Sequence, residues 1–228
     1  MSVAVVVGVG PGLSASFARR CKAEGMEVAL AARNEPKALA EELGGRSYAC
    51  DASDASSVAE LFADIEQSLG VPDIVVFNPS ARVPGPITDI DPEAVQQALM
   101  TSCYGGFLVG QAAAKGMVPR GSGSIFFTGA SASVKGYPTS AAFAMGKFGL
   151  RGLAQSMARE LAPKGIHIAH FVIDGGIARY DGARGRAPRD DDSLLDPDSI
   201  ADTYWHVHQQ HRSSWTWEIE VRPWVENF

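Results

Sequence analysis

Short apolar runs alternate with longer amphipathic segments along the chain, and this alternation limits the possible folds more than any other feature of the sequence. The apolar runs are rich in Val, Ile and Ala, which is typical of strands buried on both faces of a sheet. The predicted strands cover residues 3–7, 27–32, 47–50, 73–77, 124–128, 166–173 and 216–221. One predicted helix ends near residues 21–24, and the others cover residues 36–43, 54–69, 92–117, 139–161 and 197–210. Such alternation predicts an α/β fold with a doubly wound parallel sheet of about seven strands and helices on both faces.

The chain shows no linker-like change of composition and no internal repeat, so we expect one domain over residues 1–228. Residues 175–195 are rich in Gly, Arg and Asp, which predicts a loop on the substrate side of the sheet. The charged run at residues 189–192 is interpreted as a solvated surface. Residues 197–228 are expected to form a C-terminal helix and an edge strand.

The composition is that of a globular protein, with 228 residues, 46% of them hydrophobic and 20% charged. The net charge of −6 argues against nucleic acid and anionic membranes as partners. No apolar stretch reaches the ~18 residues of a membrane span, and the first seven residues lack the basic region of a signal peptide. Cys21, Cys50 and Cys103 have no metal-type spacing, so we expect reduced thiols, no metal site and a cytoplasmic protein.

A glycine loop follows the first predicted strand, with Gly8, Gly10 and Gly12 ahead of Leu13 and Ser14. Glycines at this place let the backbone pass close to a pyrophosphate and leave the N-terminus of the next helix free to bind it. The spacing is GxGxG rather than GxGxxG, and Ser14 stands where the looser GxxxGxG pattern has its third glycine. The loop predicts a dinucleotide site, and the alternative is a tight turn without a ligand.

The end of the second predicted strand favours NADP over NAD. Ala32 stands where an NAD site usually has an acid that accepts from the ribose 2′-hydroxyl, and Arg33 follows it. A guanidinium can pair with the 2′-phosphate of NADP, the alternative being an ordinary surface arginine. Asp51, which precedes Ala52 at the end of the third predicted strand, either accepts from the adenine amino group or caps the next helix, where Asp54 competes.

Several further motifs lie along the chain, after the features of the predicted dinucleotide site. Asn78 lies in a turn after the fourth predicted strand, residues 107–112 read FLVGQA, and a long similarity begins at Lys147 and continues to residue 166. With the glycine loop and Asp51, these motifs resemble the short-chain dehydrogenase/reductase family from about residue 3 to about residue 177. The resemblance implies a Rossmann-type fold, NADP(H) as cofactor and a small-molecule carbonyl or alcohol as substrate. The candidate cofactor-binding residues are Gly8, Gly10, Gly12, Leu13, Arg33, Asp51, Ala52, Asn78, Lys147 and Gly175.

The resemblance also implies a catalytic set of Tyr, Lys, Ser and Asn, of which this sequence keeps only the Lys. In the family, Tyr is the acid/base, Lys lowers its pKa and binds the nicotinamide ribose, Ser holds the carbonyl and Asn organises a water. The matching positions are Phe143, Lys147, Ala130 and Ser102. A positioned acid contributes roughly 10²–10⁴ in rate, and a lost oxyanion donor costs about 10²–10³.

Other hydroxyl groups could replace the missing ones. The candidates are Ser131, Ser133, Tyr137 and Tyr180, and for each of them an ordinary loop residue is the simpler interpretation. Ser140 stands seven residues before Lys147, where the related enoyl reductases have Tyr, so that variant does not fit either. The sequence therefore predicts an NADP(H)-binding oxidoreductase with atypical catalytic residues. The alternative is a catalytically inactive, dinucleotide-binding pseudoenzyme that acts as a sensor or scaffold.

All four tryptophans lie between residues 205 and 224, and residues 214–224 alternate in the manner of a strand. The family resemblance implies that this edge strand pairs across a homodimer or homotetramer interface, and aromatic side chains suit such an interface. The predicted helices over residues 92–117 and 139–161 are expected to contribute to it. The alternative for the tryptophans is packing within one monomer.

Overall fold

Seven parallel strands form one sheet in the computed structural model, which describes residues 2–180, 186–188 and 191–226. The strands are β1 (Val3–Val7), β2 (Glu27–Ala32), β3 (Arg46–Ala49), β4 (Ile74–Phe77), β5 (Gly123–Thr128), β6 (Ile166–Ile173) and β7 (Glu218–Val221). Their order across the sheet is β3-β2-β1-β4-β5-β6-β7, and every neighbouring pair is parallel. The central strands are buried along their whole length, as their apolar runs predict.

Helices cover both faces of this sheet. They are α1 (Leu13–Ala23), α2 (Lys37–Leu43), α3 (Ala55–Ser68), α4 (Pro92–Leu99), α5 (Gly105–Arg120), α6 (Ala141–Leu161) and α7 (Pro197–His208). One core forms where α3, α5 and α6 pack on the sheet, and a second forms beneath α1, α2 and α7. The predicted doubly wound α/β architecture is confirmed. None of the helices in the described ranges is long and apolar enough to cross a bilayer.

The helix ends follow local capping chemistry. The carboxylate of Asp54 accepts from the backbone N–H groups of Ser56 and Ser57 and thereby caps α3. Asp91 caps α4 in the same way, with Pro92 at the first helical position. Gly44 ends α2 in the left-handed conformation with φ 58°, which favours glycine.

The prediction of one continuous α-helix over residues 92–117 is wrong in one respect. Between α4 and α5 the chain forms a π-helical turn, Met100–Tyr104, which inserts an extra residue per turn without breaking the rod. The expected strand over residues 216–221 begins two residues later, at Glu218, and the expected strand over residues 47–50 is shifted back by one residue. Residues 181–185, 189 and 190 of the predicted loop lie outside the described residues.

The edge strand β7 is tied to the rest of the sheet by charge. Arg151 of α6 donates two hydrogen bonds to the Glu218 carboxylate, at 2.6 and 2.8 Å. The same carboxylate lies 3.1 Å from Nδ1 of the buried His170 on β6. A bidentate contact of this kind contributes geometric specificity as well as energy, so it helps to fix the position of the strand.

Candidate functional site

The chain changes direction across the sheet between β1 and β4, because it runs from β1 outward to β3 and then returns to the other side of β1. In an open parallel sheet, such a switch point leaves a crevice beyond the carboxyl ends of the strands, where ligands bind. The glycine loop after β1 and the turn after β4 border this crevice. Gly8, Gly10, Gly12 and Asn78 therefore lie together at this crevice.

Backbone geometry explains the glycines of the loop. Gly8 has φ +85°, and a Cβ on it would lie 2.6 Å from the backbone nitrogen of Pro79, so this position needs glycine for two reasons. A Cβ on Gly10 would meet nothing within 4 Å, and one on Gly12 would meet only the carbonyl oxygen of Ala178, at 3.8 Å. Gly10 and Gly12 thus face open space in which a ligand can approach the backbone.

Asn78 locks the glycine loop to the turn after β4. Its amide nitrogen donates to Oγ of Ser14 at 2.7 Å and to the carbonyl oxygen of Gly8 at 3.4 Å. The Ser14 hydroxyl in turn donates to the same Gly8 carbonyl at 3.1 Å. We call Asn78, Ser14 and Gly8 the loop latch. Ser14, which stands at the third glycine position of the looser pattern, therefore holds the loop in shape.

A cavity of about 390 Å³ opens beside the loop latch, between the ends of β1, β2 and β3. Arg33, Asp51 and Ala52 line it together with Gly8 and Asn78. The Asp51 carboxylate accepts from the backbone N–H and the hydroxyl of Ser53, and these bonds hold the pKa of Asp51 below its usual range. Because Asp54 caps α3, the capping alternative for Asp51 is excluded, and its carboxylate borders the cavity instead.

A dinucleotide fits the groups at this end of the crevice. Among the described residues, no side chain caps the first turn of α1, so its backbone N–H groups are available to an anion. The open space above Gly10 and Gly12 lies at the same place. Leu13 begins this helix, is buried in the core and is among the residues that line the neighbouring cavity.

Lys147 and Phe143 lie one turn apart on the same face of α6, and both are buried. The Lys147 ammonium donates to the carbonyl oxygen of Thr128 at 2.6 Å, and its Nζ is 5.9 Å from the centroid of the Phe143 ring. Burial, together with the positive charge of Arg82, lowers the pKa of Lys147 to about 7. Lys147 is therefore not an ordinary solvated surface lysine.

Ala130 and Ser102 contact this region from two other elements. Ala130 precedes the 3₁₀ turn Ser131–Ser133, which packs on α6, and its N–H donates to Oγ of Ser133 at 3.1 Å. Ser102 lies in the π-helical turn, and its hydroxyl accepts from the Ala81 N–H at 2.9 Å. A Cβ on Gly146 would come within 2.9 Å of the Ser102 side chain, so this glycine lets α6 approach the π-helical turn.

Arg82 lies in the loop after β4 and is not recognisable as a site residue from the sequence. Its guanidinium carbon is 3.9 Å from the centroid of the Phe143 ring. Arg82 also lines a second cavity of about 490 Å³, together with Arg179, Arg186 and the glycine loop. The general rule that loops at the carboxyl ends of strands hold ligands could have drawn attention to it, but no motif marks the residue.

The hydroxyl groups that could replace the family's Tyr and Ser include those of Tyr180, Tyr137 and Ser133. The Tyr180 hydroxyl donates to the carboxylates of Asp196 and Asp198 at 2.9 and 3.0 Å. Desolvation and these carboxylates raise the pKa of Tyr180, which makes it a poor proton donor at neutral pH. Tyr137 is exposed in the loop before α6, and the hydroxyl oxygen of Ser133 accepts from the Ala130 N–H.

Gly175 is not among the described residues that line the two cavities. It has φ +149°, and a Cβ on it would lie 2.8 Å from Cδ of Pro223 in the C-terminal tail. In the same tail, Trp215 stacks on His167 with ring centroids 4.7 Å apart, and Trp217 lies against Arg151. Trp224 is 81% exposed.

Comparison with known proteins shows which family the chain is similar to. The sequence profile described as enoyl-(acyl carrier protein) reductase matches residues 8–187. A short-chain dehydrogenase/reductase of Armillaria gallica is 32% identical over 180 residues, which cover 75% of this chain and 69% of that protein.

Two solved structures extend the similarity over almost the whole chain. A short-chain dehydrogenase from Rhodopseudomonas palustris is 35% identical with a TM-score of 0.85, covering 98% of this chain and 99% of that one. A metagenomic short-chain oxidoreductase in complex with NADP is 27% identical with a TM-score of 0.84, covering 98% of both chains.

Proposed function

The chain belongs to the short-chain dehydrogenase/reductase family of oxidoreductases, and we propose that it binds NADP(H) and acts on a carbonyl or alcohol with atypical catalytic residues. The observation that carries the cofactor preference is Arg33, which is exposed at the edge of the cavity beside Ala32. Within the described ranges, no carboxylate follows β2 directly to accept from a ribose 2′-hydroxyl, since residues 32–34 are Ala, Arg and Asn. The solved relative in complex with NADP supports the same preference.

Titration of NADPH and NADH into the wild type and Arg33→Ala tests the cofactor preference. We expect the wild type to bind NADPH more tightly, because a guanidinium can form charge-assisted bonds with the 2′-phosphate. Arg33→Ala should weaken NADPH binding roughly ten- to a hundredfold and leave NADH binding unchanged. Arg212→Ala, which removes the same charge from the opposite end of the sheet, is the matched control. Equal wild-type affinities for the two cofactors would contradict the proposal.

The residues at the reaction end have distinct roles in this proposal. Bound NADPH supplies the hydride for carbonyl reduction. Lys147 holds the nicotinamide ribose, a role that needs no tyrosine. Neither Phe143 nor Ala130 can donate a hydrogen bond from its side chain to the carbonyl oxygen. Turnover therefore depends on a proton and on carbonyl polarisation from groups other than the family's Tyr and Ser.

The second candidate function is that of a dinucleotide-binding pseudoenzyme, a sensor or a scaffold. It is favoured by Phe143, whose ring is buried against Arg82 at the position where the family has a tyrosine hydroxyl. Thermal shift with NADPH, followed by NADPH oxidation over a panel of ketones and aldehydes, separates the two candidates. Binding without turnover of any substrate would favour the pseudoenzyme, and turnover would exclude it.

Self-association through the long helices is part of the proposal. Tyr104, Phe107, Met145 and Phe148 are large apolar residues that are exposed on the π-helical turn, α5 and α6. Exposed apolar side chains that cluster on neighbouring helices are typical of an interface. We expect a homodimer or homotetramer in light scattering at micromolar concentration, and a smaller species for the double variant Phe107→Glu/Phe148→Glu. A monomeric wild type would contradict this expectation.

A further inference from the structure

One ring nitrogen of His170, a buried histidine on β6, lacks a hydrogen-bond partner. The side chain is fully buried, and its Nε2 makes no hydrogen bond within the described part of the chain. On the other side of the ring, Nδ1 lies 3.1 Å from the Glu218 carboxylate, which also receives two hydrogen bonds from Arg151. Because buried polar atoms are nearly always paired in native structures, Nε2 needs a specific explanation, and a role in proton transfer is one.

The Glu218 carboxylate determines which form of the imidazole is present. Partial burial acts in the opposite direction, but the hydrogen bonds from Arg151 hold the pKa of Glu218 below its usual range, so this group is ionised and can only accept. Burial, with the positive charges of Lys147 and Arg151, lowers the pKa of His170 to about 4 against the opposing charge of Glu218. His170 is therefore neutral at pH 7, with its proton on Nδ1 and a free lone pair on Nε2.

The free lone pair of His170 lies next to the Ser133 hydroxyl. A Cβ on Gly129 would clash with Nε2 of His170 and would lie 2.8 Å from Oγ of Ser133, so the ring and the hydroxyl meet at this glycine. The Ser133 oxygen accepts from the Ala130 N–H at 3.1 Å, and the hydroxyl proton has no acceptor among the residues that the structure describes. A donor without an acceptor thus lies beside an acceptor without a donor. Catalytic hydrogen bonds of this kind are often long in the free enzyme and shorten in the substrate complex.

The same place is linked to the proposed reaction end through residues 128–130. The carbonyl oxygen of Thr128 accepts from Lys147, Gly129 contacts His170, and Ala130 stands at the position of the family's carbonyl-holding serine. The Ser133 hydroxyl is therefore one hydrogen bond away from the residue at that position.

We propose that His170 exchanges the proton of the reaction through the Ser133 hydroxyl, in place of the missing tyrosine, while Glu218 and Arg151 position the imidazole. This inference rests on the proposed function, because it assigns the proton carrier of the same site. In alcohol oxidation, the substrate O–H bond breaks and its proton passes to Oγ of Ser133, whose own proton passes to Nε2 of His170. The substrate C–H bond breaks with it, and bound NADP⁺ accepts the hydride, which leaves the carbonyl product.

The imidazolium formed in this step lies between opposing charges. Glu218 stabilises it, whereas Lys147 and Arg151 destabilise it, so the proton is carried onward and not retained. The Glu218 side chain is 19% exposed, which gives the proton a route to solvent. Carbonyl reduction follows the same steps in reverse.

Single-turnover oxidation of a panel of primary and secondary alcohols with NADP⁺, in mixtures of H₂O and D₂O, tests the inference. We expect a curved proton inventory for the wild type, since two protons move in one step. Ser133→Ala and His170→Gln should each lower the rate roughly 10²–10⁴-fold, with KM little changed, and lose the curvature. Ser124→Ala and His167→Gln are the matched controls, because they replace a buried serine and a buried histidine at the other end of the sheet. Both should behave as the wild type.

Imidazole ¹⁵N spectra of the protein without cofactor or substrate give a second readout that does not depend on turnover. Between pH 6 and 8, we expect Nδ1 of His170 to carry the proton and Nε2 to be unprotonated. Ser133→Ala should shift the Nε2 resonance, and Ser124→Ala should not. A proton on Nε2, or an Nε2 resonance that ignores the loss of the Ser133 hydroxyl, would show that the inference is wrong.

The outcomes separate this inference from the proposed function. If alcohols are oxidised as fast by Ser133→Ala and His170→Gln as by the wild type, or if the wild-type inventory is linear, the inference is wrong while the proposed function stands. If NADP⁺ binds and no substrate turns over, the enzyme candidate fails and this inference fails with it. Thermal unfolding of each variant identifies any that does not fold. Ser133→Ala, which removes a single oxygen atom, then decides in place of His170→Gln.

Discussion

The two ends of the crevice are built from different kinds of groups. At the cofactor end, Gly8, Ser14 and Asn78 hold one another in a hydrogen-bonded latch, and the open backbone of Gly10 faces the cavity. At the proposed reaction end, the centroid of the buried Phe143 ring lies 3.9 Å from the guanidinium carbon of Arg82 and 5.9 Å from Nζ of Lys147, and Ala130 has no polar side-chain atom. In the proposed site, cofactor binding thus depends mainly on the shape of the loop, whereas the chemistry depends on a few side-chain atoms that can differ without altering the fold.

The largest expected effect comes from restoring hydroxyl groups at the reaction end. Phe143→Tyr places a phenol one turn from Lys147, whose positive charge favours the phenolate, and Ala130→Ser supplies a second donor to the carbonyl. The double variant should raise NADPH-dependent reduction of ketones or aldehydes by about 10² or more. Each single variant should do much less, because the members of one catalytic set act non-additively.

The comparison is between NADPH oxidation by the wild type, both single variants and the double variant over one substrate panel. A wild type that is already fast, and that the double change slows, would show that another group supplies the proton. A double variant that binds NADPH and turns nothing over would indicate a closed substrate pocket and favour the pseudoenzyme.

The buried charge of Lys147 gives the next largest effect, on stability. Its pKa is about 7 in the folded protein against 10.5 as the ordinary value, so between these values the unfolded chain binds more protons. The free energy of unfolding should therefore rise with pH above 7, by up to about 1.4 kcal/mol per pH unit. Lys147→Met lacks this term, so its stability relative to the wild type should be greatest below pH 7 and should decline as the pH rises.

Denaturant unfolding of the wild type and Lys147→Met between pH 6 and 9 measures this difference. Lys115→Met, at an exposed position on α5, is the matched control. A constant difference for Lys147→Met would mean that the ammonium stays charged in the folded protein, stabilised by Thr128 or by solvent.

The fold could be predicted from periodicity, because strands buried on both faces need continuous apolar runs. The predicted bounds of β1, β2 and β6 equal the observed ones for this reason. The π-helical turn could not be predicted, since it depends on tertiary contacts: the Ala81 N–H bonds Ser102, and Gly146 approaches the same side chain. No local pattern within residues 92–117 encodes either contact.

The candidate site shows the same division. The glycine loop and Asn78 can be recognised as candidate cofactor-binding positions from the sequence, because each directly follows a predicted strand. Arg82 and Phe143 meet only through the fold, as they lie on separate elements far apart in sequence. The sequence likewise leaves two roles open for Asp51, as an acceptor from the adenine amino group or as the cap of α3. Only the structure shows that Asp54 is the cap.

The smallest expected effect concerns the loop latch, and it separates the two ends of the crevice. Asn78→Ala and Ser14→Ala each remove the 2.7 Å bond between the two side chains, and each should lower stability by about 1 kcal/mol. Each should also weaken the binding of NADPH and NADH to the same extent, by roughly severalfold, because in the proposed complex the loop faces the pyrophosphate that both cofactors share. This distinguishes the latch from Arg33, whose loss should affect NADPH binding alone.

The double variant Asn78→Ala/Ser14→Ala should lose less stability than the sum of the losses of the single variants, since the shared bond is lost only once. Thermal unfolding and cofactor titration of the four proteins complete the double-mutant cycle. Additive losses would show that the two side chains act independently, and unchanged cofactor affinities would show that the loop keeps its shape without the latch.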